Sequence, residues 1–585
     1  MTQKQHLKSL LLRLLTVTVL CILPTAYAVA ADEKLSIDDA IKQSVEEFSA
    51  KLKAGTRVAI VAFEAENDNL AGYVMDEILG AFVNRRIEVA DRNNLKYVYK
   101  ELGLQMSGDV SDRTALYVGK FMGAKYVITG QLLGAGSSYR YRINAINVET
   151  AVHEGSVRYN VNNDSDFKKL LADITKNTSL TRAAKYAITE NSKPTTAGTY
   201  LDRGLLFAGG GKYDMAIEDF SEAIKLDAYL AAAYNNRGYA YDGKRDYDRA
   251  IADYSQAVKI DPNYAAAYNN RGNGYKNKKD YDRAIADYSQ AIKIDSNYAY
   301  AHNNRGYAYY EKGDYDHAIT DYSHALKIDR NYAYAYQNRG NAYYSKGDYN
   351  HAIADYSQAI KLDPNDANAY YNRGIAYRNK KDYNRAIADY SQAIKLKANY
   401  AAAYYNRGIA YEDKGEYERA IADYSQAIKI EQNYAAAYYY RGVAYYSKGD
   451  YDRAVADYSQ AIKIDLNYAA AYYNRGIAYE DKGDYERAIA DYSQAIKIDP
   501  NYAAAYYNRG IAYYSKGDYE RAIADYSQAI KIDPNYAAAY YIRGIAYDEE
   551  GEYERAVADY TQVLKLNPNN PNAKKMLEEA KKKAR

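Results

Sequence analysis

The chain has 585 residues, which is too long for one ordinary hydrophobic core, so we expect more than one structural unit. Its 78 Lys and Arg residues nearly balance its 76 Asp and Glu residues, and the net charge of +2 gives no overall attraction to nucleic acid. The single cysteine, Cys21, excludes an intramolecular disulfide framework and a cysteine-based metal site.

Residues 1–31 have the three parts of a secretory signal peptide. Lys4, Lys8 and Arg13 precede the apolar run 14–23, and small residues follow it. A basic start, a short apolar run and an A-x-A site predict a cleaved signal and an exported product. One alternative is an uncleaved membrane anchor, for which the run is short. Another is a lipoprotein, but here a leucine precedes the cysteine where a lipobox has a small residue.

Residues 32–190 form a separate α/β domain with a mixed sheet and flanking helices. Helical spacing of apolar residues predicts its helices, and short β-branched runs or strict alternation predict its strands. In chain order the predicted elements are helix 35–52, strand 57–63, helix 69–85, strand 87–90, helices 93–102 and 112–122, strands 125–133, 139–148 and 152–161, and a closing helical segment, 164–190. A polar linker, 191–196, follows this domain.

Four stretches of this domain resemble the family that includes the curli secretion component CsgG and penicillin-binding-protein activators. They are RVAIVAF at 57–63, VADR at 89–92, MSG at 106–108 and GAKYVITG at 123–130. The resemblance implies a domain of the cell envelope, so we expect the exported protein in the periplasm or the outer-membrane-bounded envelope, with peripheral outer-membrane association left open. The pore-forming branch of that family needs long membrane hairpins and a lipid anchor, and the sequence shows neither.

Residues 197–570 consist of eleven copies of a 34-residue unit. The copy at 401–434 reads AAAYYNRGIAYEDKGEYERAIADYSQAIKIEQNY, and its central glycine recurs every 34 residues from Gly204 to Gly544. This period predicts a helix–turn–helix repeat that stacks on its neighbours. We number the repeats 1 to 11, beginning at residue 197, and number positions within each repeat from its first residue. Residues 571–585 are predicted to form a polar capping helix.

The repeat resembles the tetratricopeptide family. Its landmarks in repeat 7 are the aromatic, small and alanine positions of that family: Tyr404, Gly408, Tyr411, Ala420, Tyr424 and Ala427. Tyrosine replaces the usual tryptophan at the first landmark, and Arg407 stands where the family often has leucine. The resemblance implies an all-α superhelical solenoid whose first helices line a concave groove.

Nothing in the sequence indicates catalysis or a bound cofactor. The repeated glycines are single and 34 residues apart, so they do not form a phosphate loop, and one active site would not be copied eleven times. His317 and His351 occupy the same position in adjacent repeats, where most copies have Arg. We favour a solvated surface there over a metal site. We therefore expect neither an enzyme nor a cofactor.

In the tetratricopeptide family the groove is lined by positions 2, 5, 9, 12 and 13. Positions 5 and 9 are one helical turn apart, and in the carboxyl-terminal half they form a Tyr/Ile stripe. The candidate groove residues are position 5, Tyr371, Tyr405, Tyr439, Tyr473, Tyr507 and Tyr541; position 9, Ile375, Ile409, Val443, Ile477, Ile511 and Ile545; and position 6, Asn372, Asn406, Asn474 and Asn508. The amino-terminal half is rich in amides at the same positions. The alternative is that this stripe packs against neighbouring helices.

These features predict a non-enzymatic scaffold or adaptor of the cell envelope. It would bind protein or an extended peptide in the groove, through aromatic and aliphatic contacts and amide hydrogen bonds, and it would not bind nucleic acid. Positions 2, 5 and 6 lack the Lys or Arg that grip a terminal carboxylate. Two alternatives follow from the CsgG-like resemblance: an outer-membrane secretion or transport component, and a regulator of peptidoglycan synthases.

All eleven repeats carry Arg at position 7 and Asp at position 23. Arg407 and Asp423 are one such pair, and Arg441 and Asp457 are another. We expect these residues to pair either within a repeat or with the next one. Simple solvation of both groups is the alternative, and an exposed pair would contribute only about 0–1 kcal/mol.

Overall fold

The structure is a computed structural model, and it describes residues 34–65, 68–91, 112–135, 138–151, 153–163 and 191–585, with single residues 94, 95, 98, 165, 167, 168 and 189. The predicted signal peptide lies outside the described residues. So do most of the predicted helices 93–102 and 164–190.

The amino-terminal domain contains one five-stranded mixed sheet. Its strands are β1 Arg57–Ala65, β2 Glu88–Val89, β3 Tyr126–Ala135, β4 Ser138–Asn147 and β5 His153–Asn162. They lie in the order β2-β1-β3-β4-β5. Strand β1 is parallel to both of its neighbours, β2 and β3, whereas β3, β4 and β5 form an antiparallel meander. This arrangement confirms the predicted α/β domain with a mixed sheet.

Helices cover both faces of the sheet. They are α1 Ile37–Ser49, α2 Asp68–Val83 and α3 Asp112–Phe121. On one face, Val58 and Ile60 of β1 belong to the same apolar core as residues of α1 and α2. On the other face, Ala59 and Val61 share a core with α3 and with the first repeats. Successive residues of β1 therefore point into two different cores, which is why this strand reads as a continuous apolar run.

The repeats form pairs of antiparallel helices over residues 197–566. Their first helices are Ala197–Gly209, Ala231–Gly243, Ala265–Asn277, Ala299–Glu311, Ala333–Ser345, Ala367–Asn379, Ala401–Glu412, Ala435–Ser447, Ala469–Asp481, Ala503–Ser515 and Ala537–Glu549. Their second helices are Tyr213–Leu226, Tyr247–Ile260, Tyr281–Ile294, Tyr315–Ile328, Tyr349–Leu362, Tyr383–Leu396, Tyr417–Ile430, Tyr451–Ile464, Tyr485–Ile498, Tyr519–Ile532 and Tyr553–Leu566. The last helix is Pro571–Lys583, which confirms the predicted capping helix at the end of a tetratricopeptide solenoid.

Three features of the sequence shape the helix pairs. The turn residue at position 15 has a positive φ, and Gly415, with φ of 75°, is the usual type of residue there. At position 8, Gly408 lets the two helices approach closely, because an added Cβ would lie 2.6 Å from Cε1 of the buried Tyr424. The second helix begins after an acidic cap in most repeats; for example, the Asp450 carboxylate accepts a hydrogen bond from the Arg453 backbone N–H.

Residues up to Arg330 form one compact unit, and residues from Asn331 form a second. The first unit contains the sheet domain together with repeats 1 to 3 and both helices of repeat 4. Within it, the buried Arg57 guanidinium donates hydrogen bonds to Glu88 at 2.6 Å, to Asp202 of repeat 1 at 2.6 Å and to the Met122 carbonyl at 3.1 Å. The sheet domain is therefore joined to the repeats by a buried ionic contact as well as by a shared apolar core.

Among the described residues, none of the helices combines the length and apolar character needed to cross a membrane.

Candidate functional site

The sixteen candidate groove residues are all partly exposed. None is fully buried and none is fully exposed, whether it stands at position 5, 6 or 9. All sixteen lie on first helices of repeats 6 to 11, in the second compact unit. Part of each of these side chains is therefore accessible on a first helix.

The tyrosines at position 5 also pack within the repeats. The Tyr405 ring lies 6.1 Å from the ring of Tyr424 and 5.0 Å from that of Tyr434, both in its own repeat. Together with Ile409 it contacts the core formed around Ala420. Each residue of the stripe therefore has one side in the core and one side exposed, so the packing role and a binding role are compatible.

The asparagines at position 6 link neighbouring repeats. Asn474 donates a hydrogen bond to the Tyr439 hydroxyl at 2.7 Å, and Asn508 donates to the Tyr473 hydroxyl at 2.9 Å. Asn406 donates to the Tyr371 hydroxyl at 3.0 Å and to the carbonyl of its own helix at Ala402 at 2.9 Å. The Asn372 amide lies 3.5 Å from the Asn341 side-chain oxygen, which is a long contact. These amides therefore have their oxygens, more than their N–H groups, available to a ligand.

The hydroxyl of the buried tyrosine at position 24 has different partners in different repeats. Tyr424 donates to Glu412 at 2.7 Å and Tyr492 donates to Glu480 at 2.6 Å, both glutamates being at groove position 12. Burial raises the pKa of Glu412, although the Tyr424 hydrogen bond opposes the shift. In three other repeats the buried hydroxyl has no hydrogen-bond partner: Tyr390, Tyr526 and Tyr560. In two further repeats the hydroxyl donates to an asparagine at position 9, from Tyr288 to Asn273 at 2.8 Å and from Tyr356 to Asn341 at 2.7 Å, so its partner varies with the residues at both positions.

The amide-rich half contains a cavity of about 150 Å³ on the same face. It is lined by residues of repeats 2 to 4, mainly at positions 2, 5, 6, 9 and 12: Tyr239, Asp242, Tyr254, Asn269, Asn270, Asn273, Tyr298, Tyr300 and Asn304. Asn270 donates to Asn235 at 3.1 Å, and Asn304 donates to Asn269 at 3.0 Å. The amides thus form a ladder from one repeat to the next. The Tyr/Ile stripe and this amide ladder occupy equivalent positions of the repeat.

The Arg at position 7 and the Asp at position 23 form the same contact in all eleven repeats. In repeat 8, Nε and Nη2 of Arg441 donate to the two oxygens of Asp457, each at 2.7 Å. Nη1 of the same residue donates to Ser425 of the preceding repeat at 2.9 Å. The Arg–Asp pair therefore forms within a repeat, which decides between the two expected arrangements. Because Asp457 is buried and both of its oxygens accept from Arg441, this guanidinium is not a clamp for a ligand carboxylate.

The two histidines that share a repeat position each contact the N-cap aspartate of their own helix. His317 lies 2.7 Å from Asp314 and stacks on Tyr309. His351 lies 2.6 Å from Asp348 and stacks in the same manner on Tyr343. The structure places three other residues close together: His302, Asp321 and His324. Their proximity does not follow from the repeat period, because His302 and His324 stand at different repeat positions on different helices.

Family models match the repeats, from residue 193 onwards. The model described as TPR repeat matches residues 193–243, 272–313, 306–347, 340–381, 376–415, 412–449 and 442–483. Two models described as tetratricopeptide repeat match residues 473–537 and 507–571, and residues 231–264. None of the curated proteins compared with the chain matches it.

The solved structures that resemble the chain cover parts of it. MamA is 34% identical over 28% of this chain and 96% of its own, with a TM-score of 0.27. YrrB, a TPR protein with an unusual peptide-binding site, is 24% identical over 32% of this chain and 96% of its own, with a TM-score of 0.29. Yeast Tom70 is 16% identical over 66% of this chain and 95% of its own, with a TM-score of 0.30. On the repeat models, which together extend from residue 193 to residue 571, the chain belongs to the tetratricopeptide repeat family.

Proposed function

We propose that this protein is an exported scaffold or adaptor of the cell envelope that binds an extended segment of a protein partner along the groove face of its repeats. Export is supported by the basic start, apolar run and small residues of positions 1–31. Binding is supported by the family and by the partly exposed surface of the first helices. The envelope location also draws on the CsgG-like stretches of the sheet domain.

The observation that carries the proposal is the row of half-buried aromatic and aliphatic side chains in repeats 6 to 11. Tyrosine and isoleucine supply apolar contact area, and the contacts of Tyr405 with Tyr424 and Tyr434 hold its ring in place before a ligand arrives. A side chain that is already fixed loses little conformational entropy on binding. This surface therefore favours an extended peptide that lays apolar side chains along successive repeats.

The polar groups suggest how the backbone of such a peptide would be held. Asn474 and Asn508 each use an N–H on a neighbouring tyrosine hydroxyl, so their side-chain oxygens would accept from peptide N–H groups. Glu412 and Glu480 add acidic groups at the groove floor. Because the groove positions lack a basic clamp, we expect recognition of an internal segment, rather than of a terminal carboxylate.

The first test uses substitutions that the chain already tolerates elsewhere. Asn occupies position 5 as Asn269 and position 9 as Asn273, so the double variant Tyr439→Asn/Val443→Asn turns repeat 8 into an amide-rich repeat. We expect it to keep full helicity and to weaken capture of the envelope partner at least tenfold, since about 1.4 kcal/mol of apolar contact is a factor of ten. The pull-down is made from the envelope fraction, with circular dichroism as the folding check.

A photo-crosslinking residue gives the matched control. Placed at position 439 it should capture the partner, whereas at the exposed Ala456 on the second helix of the same repeat it should not. Equal capture at both positions, or undiminished capture by the double variant, would reject this surface as the binding site. For the location, a cleaved product released by salt from the envelope agrees with the proposal. An oligomer that requires detergent would instead favour the secretion component.

A further inference from the structure

Repeat 4 has histidine at two positions where none of the other repeats has it. His302 stands at position 4, where the other ten repeats have Tyr, and His324 stands at position 26, where nine repeats have Gln and one has Glu. Both histidines are therefore peculiar to one copy of the repeat. The first lies on the first helix of the repeat, and the second lies on the second helix.

The fold places these two histidines against each other. Their rings are stacked, with centroids 5.4 Å apart and an interplanar angle of 23°. Asp321 completes the group, and one ligand atom from each of the three residues lies within 4.8 Å of the others. His302 and Asp321 are buried, whereas His324 is exposed. The group therefore has a fixed inner side and an adjustable outer side.

Two oxygen atoms next to the His302 ring favour a positive charge beside it. Its Nε2 lies 3.2 Å from the Ser296 carbonyl oxygen, and its Nδ1 lies 3.5 Å from Oδ1 of Asp321. Both of these oxygens can only accept, and a neutral imidazole has one N–H to give. If Nε2 donates to Ser296, the lone pair of Nδ1 faces a carboxylate, which is unfavourable unless a cation lies between them.

We propose that His302, Asp321 and His324 form a binding site for a Zn²⁺ ion. Two imidazoles and one carboxylate are a common donor set for this ion. With metal–ligand bonds of about 2.0–2.1 Å, the ligand atoms of a tetrahedral site are about 3.3 Å apart, close to the 3.5 Å between His302 Nδ1 and Asp321 Oδ1. The exposed His324 has room to close the remaining distance.

The second nitrogen of each imidazole is held as metal-bound histidines require. Nδ1 of His324 lies 2.9 Å from the Thr320 carbonyl oxygen of its own helix, which leaves Nε2 as the ligand atom. Nε2 of His302 faces the Ser296 carbonyl, which leaves Nδ1. Arg305 donates to both oxygens of Asp321, at 2.7 Å each. A carboxylate has about four acceptor sites, so Oδ1 keeps one for the metal. The fourth position of the ion would open towards solvent, beside His324.

The test uses the full chain, purified without a histidine tag and stripped with a chelator. Titration with Zn²⁺ by calorimetry should give one ion per chain. The variants His302→Tyr and His324→Gln restore residues that other repeats carry, so both should fold normally. Each should lower the Zn²⁺ affinity about 100-fold or more, because losing even an outer-shell partner costs about 10–100-fold. Zn²⁺ should raise the Tm of the unsubstituted chain but not that of these two variants.

The matched controls are His317→Arg and His351→Arg, which replace other histidines by the residue common at that position. Both should bind Zn²⁺ like the unsubstituted chain, and Co²⁺ should give the visible absorption of a tetrahedral site only when His302 and His324 are present. The proposal is wrong if the chain binds no Zn²⁺, if the double variant His302→Tyr/His324→Gln binds it equally well, or if the control variants lose as much affinity.

Discussion

Two glycines on the first helix of repeat 3 differ in what an added side chain would meet, although they are only two residues apart. An added Cβ at Gly272 would lie 2.7 Å from Cε1 of the buried Tyr288, and every repeat has glycine at this position. An added Cβ at Gly274 would lie 2.8 Å from Cγ1 of Ile251, but nine other repeats have alanine at this position. In repeat 4, for example, Ala308 packs beside Ile285, so a small shift of the isoleucine accommodates alanine at the second position but not at the first.

We predict that Gly272→Ala lowers the free energy of unfolding by about 1–3 kcal/mol, the usual effect of overpacking a core. Gly274→Ala should cost clearly less, because the Ile251 side chain can shift and the better helix propensity of alanine offsets about 0.5–1 kcal/mol. The measurement is urea unfolding followed by helical circular dichroism and fitted with a nearest-neighbour model for repeats. Equal effects of the two substitutions would contradict this explanation of the repeat's glycine.

The Arg–Asp pair predicts a strong coupling inside one repeat. Asp457 is 6% exposed, and both of its oxygens accept from Arg441. In a double-mutant cycle with both residues changed to Ala, we expect a coupling free energy of about 0.5–3 kcal/mol. The cycles of Arg441 with Asp423 or with Asp491 are the controls, and their effects should add. Additivity in the first cycle would mean that the observed contact contributes nothing to stability.

At the scale of elements, the period of the sequence predicts nearly all of the fold. Most of the 34-residue units have a glycine in the turn between the two helices and an acidic residue directly after it, so helix ends could be placed within a few residues. Strands β4 and β5 followed from strict alternation. The pairing of Arg441 could not be decided in the same way, since positions 7 and 23 recur in every repeat and period alone does not distinguish a contact within a repeat from one between repeats.

The candidate site was less predictable than the fold. Sequence periodicity drew attention to His317 and His351, which share a repeat position and for which we favoured a solvated surface over a metal site. In the structure each of them contacts its own helix cap. His302 and His324 occupy different positions on different helices, so only the packing of the helix pair brings them together. Their signal in the sequence was that both depart from the consensus in the same repeat.

The raised pKa values of half-buried tyrosines in the repeats predict that the protein loses stability at high pH. Burial is the main cause that raises the pKa of five of them to about 12: Tyr400, Tyr434, Tyr439, Tyr502 and Tyr536. The unfolded chain titrates near 10, so between these values the folded chain holds more protons. Their contribution to stability is therefore complete below pH of about 10 and is lost as the pH rises through about 12.

One alkaline titration measures both consequences. Near-ultraviolet absorbance reports phenolate, and circular dichroism reports helix. The five tyrosines with a raised pKa should ionise together with the loss of helix. If the helical signal persists after phenolate absorbance has reached its full value, ionisation of these five tyrosines does not unfold the repeats.

At the scale of the molecule, the amino-terminal unit is a sheet domain and a set of repeats that share one core. Val127 of β3 and Leu201 of repeat 1 belong to the same apolar cluster. The ion pair of Arg57 with Asp202 joins residues 145 positions apart. Such a contact cannot be read from periodicity, because Asp202 occupies position 6, where most repeats have Asn. The aspartate is thus a departure that matches a partner outside the repeats.

A single substitution tests the ion pair of Arg57 with Asp202. Asp202→Asn restores the residue common at position 6 and keeps the shape of the side chain, but it leaves the buried Arg57 with Glu88 as its single carboxylate partner. Breaking a buried pair costs about 3–5 kcal/mol, and because Glu88 retains part of the interaction we expect about 3 kcal/mol. The loss should appear in hydrogen exchange as faster exchange in β1 and in the helix Ala197–Gly209, with repeats 7 to 11 unchanged.

Asp227→Asn is the control, since Asp227 lies in the same repeat but is exposed. It should leave exchange in β1 and in the first helix of repeat 1 as it is in the unsubstituted chain. Unchanged protection in Asp202→Asn as well would mean that the apolar core around Leu201 holds the sheet to repeat 1 without help from the ion pair. The buried charges would then serve to fix which surfaces of the two parts meet, and not how tightly they are held.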